Sequence, residues 1–383
     1  MEQAIYLDHA ATTCVDSEVL EVMRPYYGRE YANASALYEA GRNSRQVIEQ
    51  ARSRIASCIG ARAEEIYFTS GGTESDNWAI KGVCLASPKK KHIVTTSIEH
   101  PAVLNTCRAL EKQGVRVTYL QPDSWGMISP EKVAEALTED TVLVSVMHAN
   151  NELGVIEPIS AIGKAVKSKG ILFHTDAVQS FGYEPLSMPH LPVDLLSVSG
   201  HKIYGPKGIG FLFIRNGTEI RPFIDGGGQE RNMRSGTESV PLIVGLASAV
   251  SKLYKNQYRY AWHAKQLRDY LAYRILTEIP DTIMYGGKKN YGKYLPNIAN
   301  ISFAGIDSAL LLKKLDQAGI FASAGSACHA ASGEPSYVLQ AVGIPRVQAR
   351  GAIRFSVGKD NTKEEMERAV HWIKKSVAQL RES

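Results

Sequence analysis

The sequence has no run approaching the roughly 20 consecutive apolar residues needed to cross a bilayer. Its opening, Met1-Glu2-Gln3-Ala4-Ile5-Tyr6-Leu7-Asp8, lacks the basic stretch and apolar core of a secretory leader. The expected address is therefore the cytoplasm, with no membrane partner. Cysteine is scarce, five in 383 residues at positions 14, 58, 84, 107 and 328, and no two form a CxxC pair. This odd, scattered set excludes both a disulfide framework and a zinc-binding one, so no metal is expected. Charge of one sign is lacking too: 44 Lys and Arg against 39 Asp and Glu leave a net +5. The one dense basic run, Lys89-Lys90-Lys91-His92, reads as a solvated turn, and direct nucleic-acid binding is not expected. There is no internal repeat and no low-complexity linker. With 44% hydrophobic and 22% charged residues, the chain has the balance of a folded globular protein and not of a disordered one.

What is present is an alternation. Short, β-branched, nearly continuous apolar runs fall at 65–69, 92–96, 115–120, 141–146, 171–175, 195–199 and 210–214, the pattern of strands buried on both faces. Helical patterns separate most of them, for example over 44–60 and 159–169, and this predicts a mostly parallel α/β sheet. After about residue 245 the pattern changes. Residues 248–278 read as one or two long helices, 300–303 and 352–357 as strands, and Thr362 as the cap of a final helix. The expected organisation is a large α/β domain over 15–255 and a small α+β domain made of 1–14 and 256–383.

Three segments carry chemistry. In Ser197-Val198-Ser199-Gly200-His201-Lys202-Ile203-Tyr204-Gly205, a lysine stands just past a buried strand among Ser, His and glycine. A desolvated lysine is a nucleophilic amine suited to Schiff-base formation with an aldehyde, and Ser199 and His201 could bind a phosphate beside it. A solvated surface turn is the alternative. In Phe68-Thr69-Ser70-Gly71-Gly72-Thr73-Glu74-Ser75, a strand leads into a helix through two glycines. Helix amides at Gly72 and the Thr73 hydroxyl suit phosphate oxygens there. In His174-Thr175-Asp176-Ala177-Val178-Gln179, a carboxylate ends an apolar strand, where open parallel sheets place their ligands. A pyridoxal phosphate (PLP) enzyme needs such an acid to keep its ring nitrogen protonated; a helix-capping aspartate is the alternative.

With Lys202 following Asp176 by 26 residues, this set resembles the cofactor site of class V aminotransferase-like PLP enzymes. More narrowly it is similar to NifS/IscS-type cysteine desulfurases. Tyr6-Leu7-Asp8-His9-Ala10-Ala11-Thr12-Thr13, Ser97-Ile98-Glu99-His100-Pro101, Asn150-Asn151-Glu152-Leu153-Gly154, Arg234-Ser235-Gly236-Thr237 and Arg354-Phe355-Ser356 match in order. The resemblance implies PLP fold type I and runs from about Tyr6 to Arg381. It implies Lys202 as the lysine that holds PLP covalently, Asp176 as partner of the ring nitrogen, and Gln179 near the phenolic oxygen. Gly72, Thr73, Ser199 and His201 would surround the phosphate, with Thr237 reaching over from the second subunit of a homodimer. Asn151 and Arg354 would hold the carboxylate of L-cysteine, and His100 would stack on the ring and assist proton transfer.

The loop Ser323-Ala324-Gly325-Ser326-Ala327-Cys328-His329-Ala330-Ala331-Ser332-Gly333 sets one cysteine among small residues. It is similar to the catalytic loop of the family's long-loop subgroup, which implies Cys328 as the thiol that becomes a persulfide while alanine leaves. Cys14, Cys58, Cys84 and Cys107 are expected to be packing residues. A sulfur-acceptor protein, an iron–sulfur scaffold or a thiolation enzyme, would take the persulfide. The rivals are a selenocysteine lyase or small-amino-acid transaminase on the same fold, and a silent scaffold subunit. The sequence departs from the family at Asn33-Ala34-Ser35-Ala36-Leu37-Tyr38, where Ala34, Ala36 and Tyr38 stand in place of the family's proline, second serine and histidine. Either drift in an entry loop or a specialised paralogue with another substrate or acceptor accounts for this.

Overall fold

Seven strands form one sheet in the spatial order Ile66–Thr69, Gly210–Ile214, Leu195–Ser199, Leu172–Asp176, Thr141–Ser145, His92–Thr96 and Arg116–Leu120. They are the seven apolar runs of the sequence, with ends adjusted by a residue. The structure is a computed structural model and describes residues 4–286, 293–325 and 335–382. Four strand pairs are parallel. Gly210–Ile214 runs antiparallel to both neighbours, because the link from Ser199 to Gly210 holds only a short turn and no crossover helix. Burial on both faces holds for most of the sheet, but the edge strand Arg116–Leu120 is only partly covered.

Alternation along the strands supplies two cores. Val94, Val144, Phe173, Leu196, Phe211 and Phe213 face one side, and Ile93, Leu143, Leu195 and Leu212 face the other, as the two-residue period of a strand requires. Helices Glu39–Ile59 and Ile159–Lys167 cover the first side, and Gly72–Ala86 and Pro101–Glu111 the second. Glu39–Ile59 buries Ile48, Ala51, Ile55 and Ile59 on one stripe and ends at Gly60, whose φ is +68°.

The residues after 240 build differently. Val240–Glu278 is one continuous helix, longer at its start than the sequence pattern indicates. Its Val240, Ile243, Leu246 and Val250 belong to the first core. Its Leu267, Leu271 and Ile275 join a separate core with Ile5, Leu7, Ile301, Phe303, Ile353 and Phe355. The second core lies against an antiparallel sheet of Thr282–Tyr285, Ile298–Phe303 and Ala352–Ser356. The final helix, Lys363–Arg381, starts with Thr362 accepting from the Glu365 amide in a capping box. The amino-terminal strand Ile5–Tyr6 pairs in parallel with Ile320–Phe321. Among the described residues no helix is long and apolar enough to cross a membrane.

Candidate active site

The carboxyl ends of the sheet strands surround a cavity of about 250 Å³ lined by Ala10, Ala11, Gly72, Thr73, Asp76, His100, Met147, Ala149, Asn151, Asp176, Val178, Gln179, Ser199, His201, Lys202 and Arg354. Ten expected residues thus meet there: Gly72, Thr73, His100, Asn151, Asp176, Gln179, Ser199, His201, Lys202 and Arg354. This is where a parallel sheet leaves room for a ligand, since each strand ends and its chain turns away.

Lys202 closes the 3-10 turn Gly200–Lys202 directly after strand Leu195–Ser199. Its Nζ donates to the carbonyls of Ala10 (2.5 Å) and Ala11 (2.8 Å). Gln179 Nε2 donates to the same Ala10 carbonyl at 2.8 Å. The turn itself is laced to the amino-terminal stretch. Thr13 donates from both its amide and its hydroxyl to the His201 carbonyl (2.9 Å each), and the Tyr204 amide donates to Thr13 Oγ1 at 2.8 Å. His201 Nδ1 lies 3.1 Å from Thr12 Oγ1. Burial, then the charges of Lys202, Lys207 and His100, push His201 down to about 4, so it presents a neutral ring.

The anion cradle begins at Gly71, whose φ of +147° suits glycine. Gly72 opens the helix Gly72–Ala86. A Cβ on Gly72 would come within 2.7 Å of Val178 Cγ2, so only glycine lets the helix end approach the cavity floor. Gly72, Thr73, Ser199 and His201 also line a second recess, with Ser70 and Lys207, which extends this end of the site outward with a further positive charge. Helix amides, hydroxyls and Lys207 together could hold a phosphate-sized anion.

The opposite end is acidic and buried. Asp176 ends strand Leu172–Asp176, is 6% exposed, and its Oδ1 accepts from the Val178 amide at 2.8 Å. Asp76, one helical turn beyond Thr73, also lines the cavity; its Oδ1 is buried without a hydrogen-bond partner. Burial pushes both carboxyls above their ordinary range, and for Asp76 the charge of Asp176 adds to it. His174 Nε2, 3.6 Å from Asp76 Oδ1, is no counter-cation, because burial pushes it down to about 3. Its two ring nitrogens bond instead to Ser145 Oγ (2.8 Å) and Ser197 Oγ (3.0 Å). The charge of Lys202 offsets part of the rise at Asp176. Sequence reasoning missed Asp76. Its spacing from Thr73 on the same helix was the available signal.

His100 caps the helix Pro101–Glu111, and its Nδ1 accepts from the Ala102 amide at 3.1 Å. That bond leaves the proton of the neutral ring on Nε2. Arg354 is 1% exposed on strand Ala352–Ser356. Its Nη1 donates to the Asn151 carbonyl (2.9 Å) and its Nη2 to Asp8 Oδ1 (2.8 Å). Asn151 Oδ1 is buried and unpartnered.

Two expected residues are not in this group. Thr237 is exposed and does not line the cavity of its own chain. Cys328 lies outside the described residues, as does all of 326–334. Of the cysteines expected as packing residues, Cys107 is buried and Cys58 and Cys84 are half-buried. Cys14 is exposed, which corrects that expectation: it sits in the open stretch between Thr13 and the Asp16 cap and not on a core-facing side. Tyr38 is 60% exposed and stands outside the cavity at the start of helix Glu39–Ile59. Among the described residues no group of three or more His, Cys, Asp or Glu is arranged to hold a metal ion.

Comparison with known proteins gives a consistent result. Residues 5–369 match the family model for aminotransferase class-V. The chain is 46% identical over 382 residues to a protein named cysteine desulfurase IscS from Dictyoglomus turgidum, covering 100% of this chain and 96% of that one. A cysteine desulfurase IscS from Methanosarcina thermophila is 47% identical over 380 residues, covering 99% and 93%. Among solved structures, a NifS-like protein superposes with a TM-score of 0.92 at 39% identity over 100% of both chains. A structure described as SspA in complex with cysteine gives 0.83 at 39% identity, covering 94% of this chain and 100% of that one.

Proposed function

The chain belongs to the aminotransferase class-V family, and on that premise we propose that it is a PLP-dependent cysteine desulfurase. L-cysteine would become L-alanine, and its sulfur would pass to the Cys328 thiol, giving a persulfide. The observation that carries this reading is the content of one cavity: an amine, an anion cradle, a buried acid pair and a buried guanidinium. Those groups fit PLP. The cradle of Gly72, Thr73, Ser199 and His201 suits its phosphate, the buried carboxyl of Asp176 suits a protonated ring nitrogen, and Lys202 is the amine for its aldehyde. When bound, PLP supplies an aldehyde carbon and a conjugated electron sink.

The residues divide the remaining work. Arg354 and Asn151 bind the substrate carboxylate, the guanidinium through its planar fork. The Lys202 amine would take the proton from the substrate Cα. His100, with its ring proton on Nε2, donates over the face of the site. Cys328, as thiolate, would attack the substrate sulfur: an S–S bond forms, the electron pair of the Cβ–S bond passes to the carbon skeleton, Cβ takes a proton in place of sulfur, Cα regains the proton removed by Lys202, and alanine leaves.

The same reading includes a homodimer in which Thr237 completes the phosphate site of the other subunit. Its exposure supports this, as do the exposed Tyr27, Tyr31, Leu37 and Tyr38 (60–90%) at the start of the chain. The persulfide would go to an acceptor protein serving iron–sulfur assembly or tRNA thiolation.

Two variants test the reading. Lys202→Ala should lose both the cofactor's visible absorbance and alanine production. Cys328→Ala should keep the absorbance and its response to cysteine while making almost no alanine. Alanine formation by Cys328→Ala at the wild-type rate would overturn the persulfide route.

A further inference from the structure

The amino-terminal stretch 8–11 touches both ends of the site. Asp8 Oδ1 accepts from Arg354 Nη2 at 2.8 Å, and Asp8 Oδ2 accepts from Ser323 Oγ at 2.7 Å. Two and three residues on, the Ala10 and Ala11 carbonyls accept from Lys202 Nζ. The stretch is itself pinned to the strand that carries Arg354. The His9 amide donates to the Ser356 carbonyl (3.3 Å), and the Ala10 amide donates to Ser356 Oγ (2.8 Å). Ser323 is fixed from the other side, with the Arg354 amide donating to its carbonyl at 2.7 Å.

Asp8 does not line the cavity, whereas Arg354 does. A guanidinium that is 1% exposed needs a counter-charge, and a lone buried cation without one turns towards any available acceptor. Asp8 supplies that charge from outside the cavity, and its second oxygen is occupied by Ser323. The carboxylate therefore cannot rotate without losing one of two bonds.

We propose that Asp8 is a positioning residue and that residues 8–11 act as a template fixing the guanidinium of Arg354 relative to the amine of Lys202. Arg354 held in this way favours ligands that carry a carboxylate over those that lack one. This rests on reading Arg354 as the carboxylate site of the proposed desulfurase.

The test uses the full-length, cofactor-loaded protein with two ligands, L-alanine and cysteamine, the second lacking a carboxylate. Binding is read from the cofactor's visible absorbance change. In Asp8→Ala the apparent Kd for L-alanine and the KM for L-cysteine should rise about tenfold or more, as the loss of a charge-assisted bond implies. The Kd for cysteamine and kcat should stay within about threefold. Asp8→Asn keeps one acceptor and should recover part of the loss. It also serves if Asp8→Ala does not fold. Ser323→Ala should show a smaller effect of the same selectivity. Equal weakening of L-alanine and cysteamine, or a fall in kcat with KM unchanged, would overturn the proposal. If the wild-type protein makes no alanine from cysteine and yet Asp8→Ala selectively weakens L-alanine, the function reading fails while the positioning role stands.

Discussion

Arg234 grips Glu74 through two parallel bonds, Nε to Oε1 at 2.8 Å and Nη2 to Oε2 at 3.0 Å. Glu74 is the third residue of helix Gly72–Ala86, and its Oε2 also accepts from the Ser70 amide at 2.8 Å. Burial alone would raise this carboxyl, but the bonds from Arg234 and Ser70 hold it below its ordinary range. The pair thus ties the anion cradle to the segment that carries Thr237.

Breaking that fork should loosen the cradle without unfolding the protein. Arg234→Lys replaces a planar fork by a point charge. Its affinity for PLP should fall about tenfold, the worth of one charge-assisted bond, when the cofactor-free protein is titrated with PLP. Its urea midpoint should stay close to wild type.

A second ion pair is structural. Arg52 and Glu230 have side chains 1% and 3% exposed and meet at 2.8 and 2.7 Å, and the Phe68 amide donates to Glu230 Oε2 at 2.8 Å. Glu230, Arg231 and Asn232 have φ of 44°, 58° and 65°, a left-handed run that non-glycine residues adopt only when held. Glu230→Ala leaves a buried guanidinium without its main partner and should cost about 3–5 kcal/mol in urea unfolding. Glu230→Gln should cost less.

Glu99 makes stability depend on pH. Its Oε1 accepts from Thr96 Oγ1 (2.8 Å) and the Met147 amide (2.9 Å), while Oε2 is buried and unpartnered. Burial raises its pKa from 4.5 to about 8. The folded state therefore holds this proton more tightly than the unfolded chain. The stabilisation is complete below the unfolded value and is lost as pH rises through about 8. Glu99→Gln, a mimic of the protonated acid, should match wild type near about pH 5 and exceed it near about pH 8.5 by on the order of a few kcal/mol. Urea unfolding of the cofactor-free protein at both pH values checks this.

The composite site can be tested by mixing subunits. Thr237→Asp puts a negative charge where a partner's phosphate would lie and should abolish PLP retention. Lys202→Ala should be inactive for its own reason. In mixed dimers one site receives an intact lysine from one subunit and an intact threonine from the other, so activity should return in part. No recovery after subunit exchange verified by sedimentation would exclude the shared site.

Much of the sheet was legible because strands buried on two faces read as nearly continuous apolar runs, and that pattern is local. Strand Leu195–Ser199 and the lysine after it could be read together for the same reason. The reversal of Gly210–Ile214 was less visible, since apolar runs look alike in both directions and only the short link before it decides. Asp76 was missed because on its helix it reads as one more polar residue; the approach of Asp176 and His174 makes it part of the site. Cys14 was misread because an isolated small thiol carries no periodic signal to say which side it faces.

The sequence by itself determined the strand and helix pattern and the chemical types gathered around Asp176 and Lys202. These follow from backbone periodicity and from motifs a few residues long. Tertiary structure alone decided which of those groups face one cavity, how Arg354 is held, and that Asp8 holds it. Asp8 and Arg354 are 346 residues apart. Their contact is created when Ile5–Tyr6 pairs with Ile320–Phe321 and the following residues bond to Ala352–Ser356. Side-chain hydrogen bonds and buried charges depend on distances of a few ångströms, and those distances are set by long-range packing that no local pattern encodes.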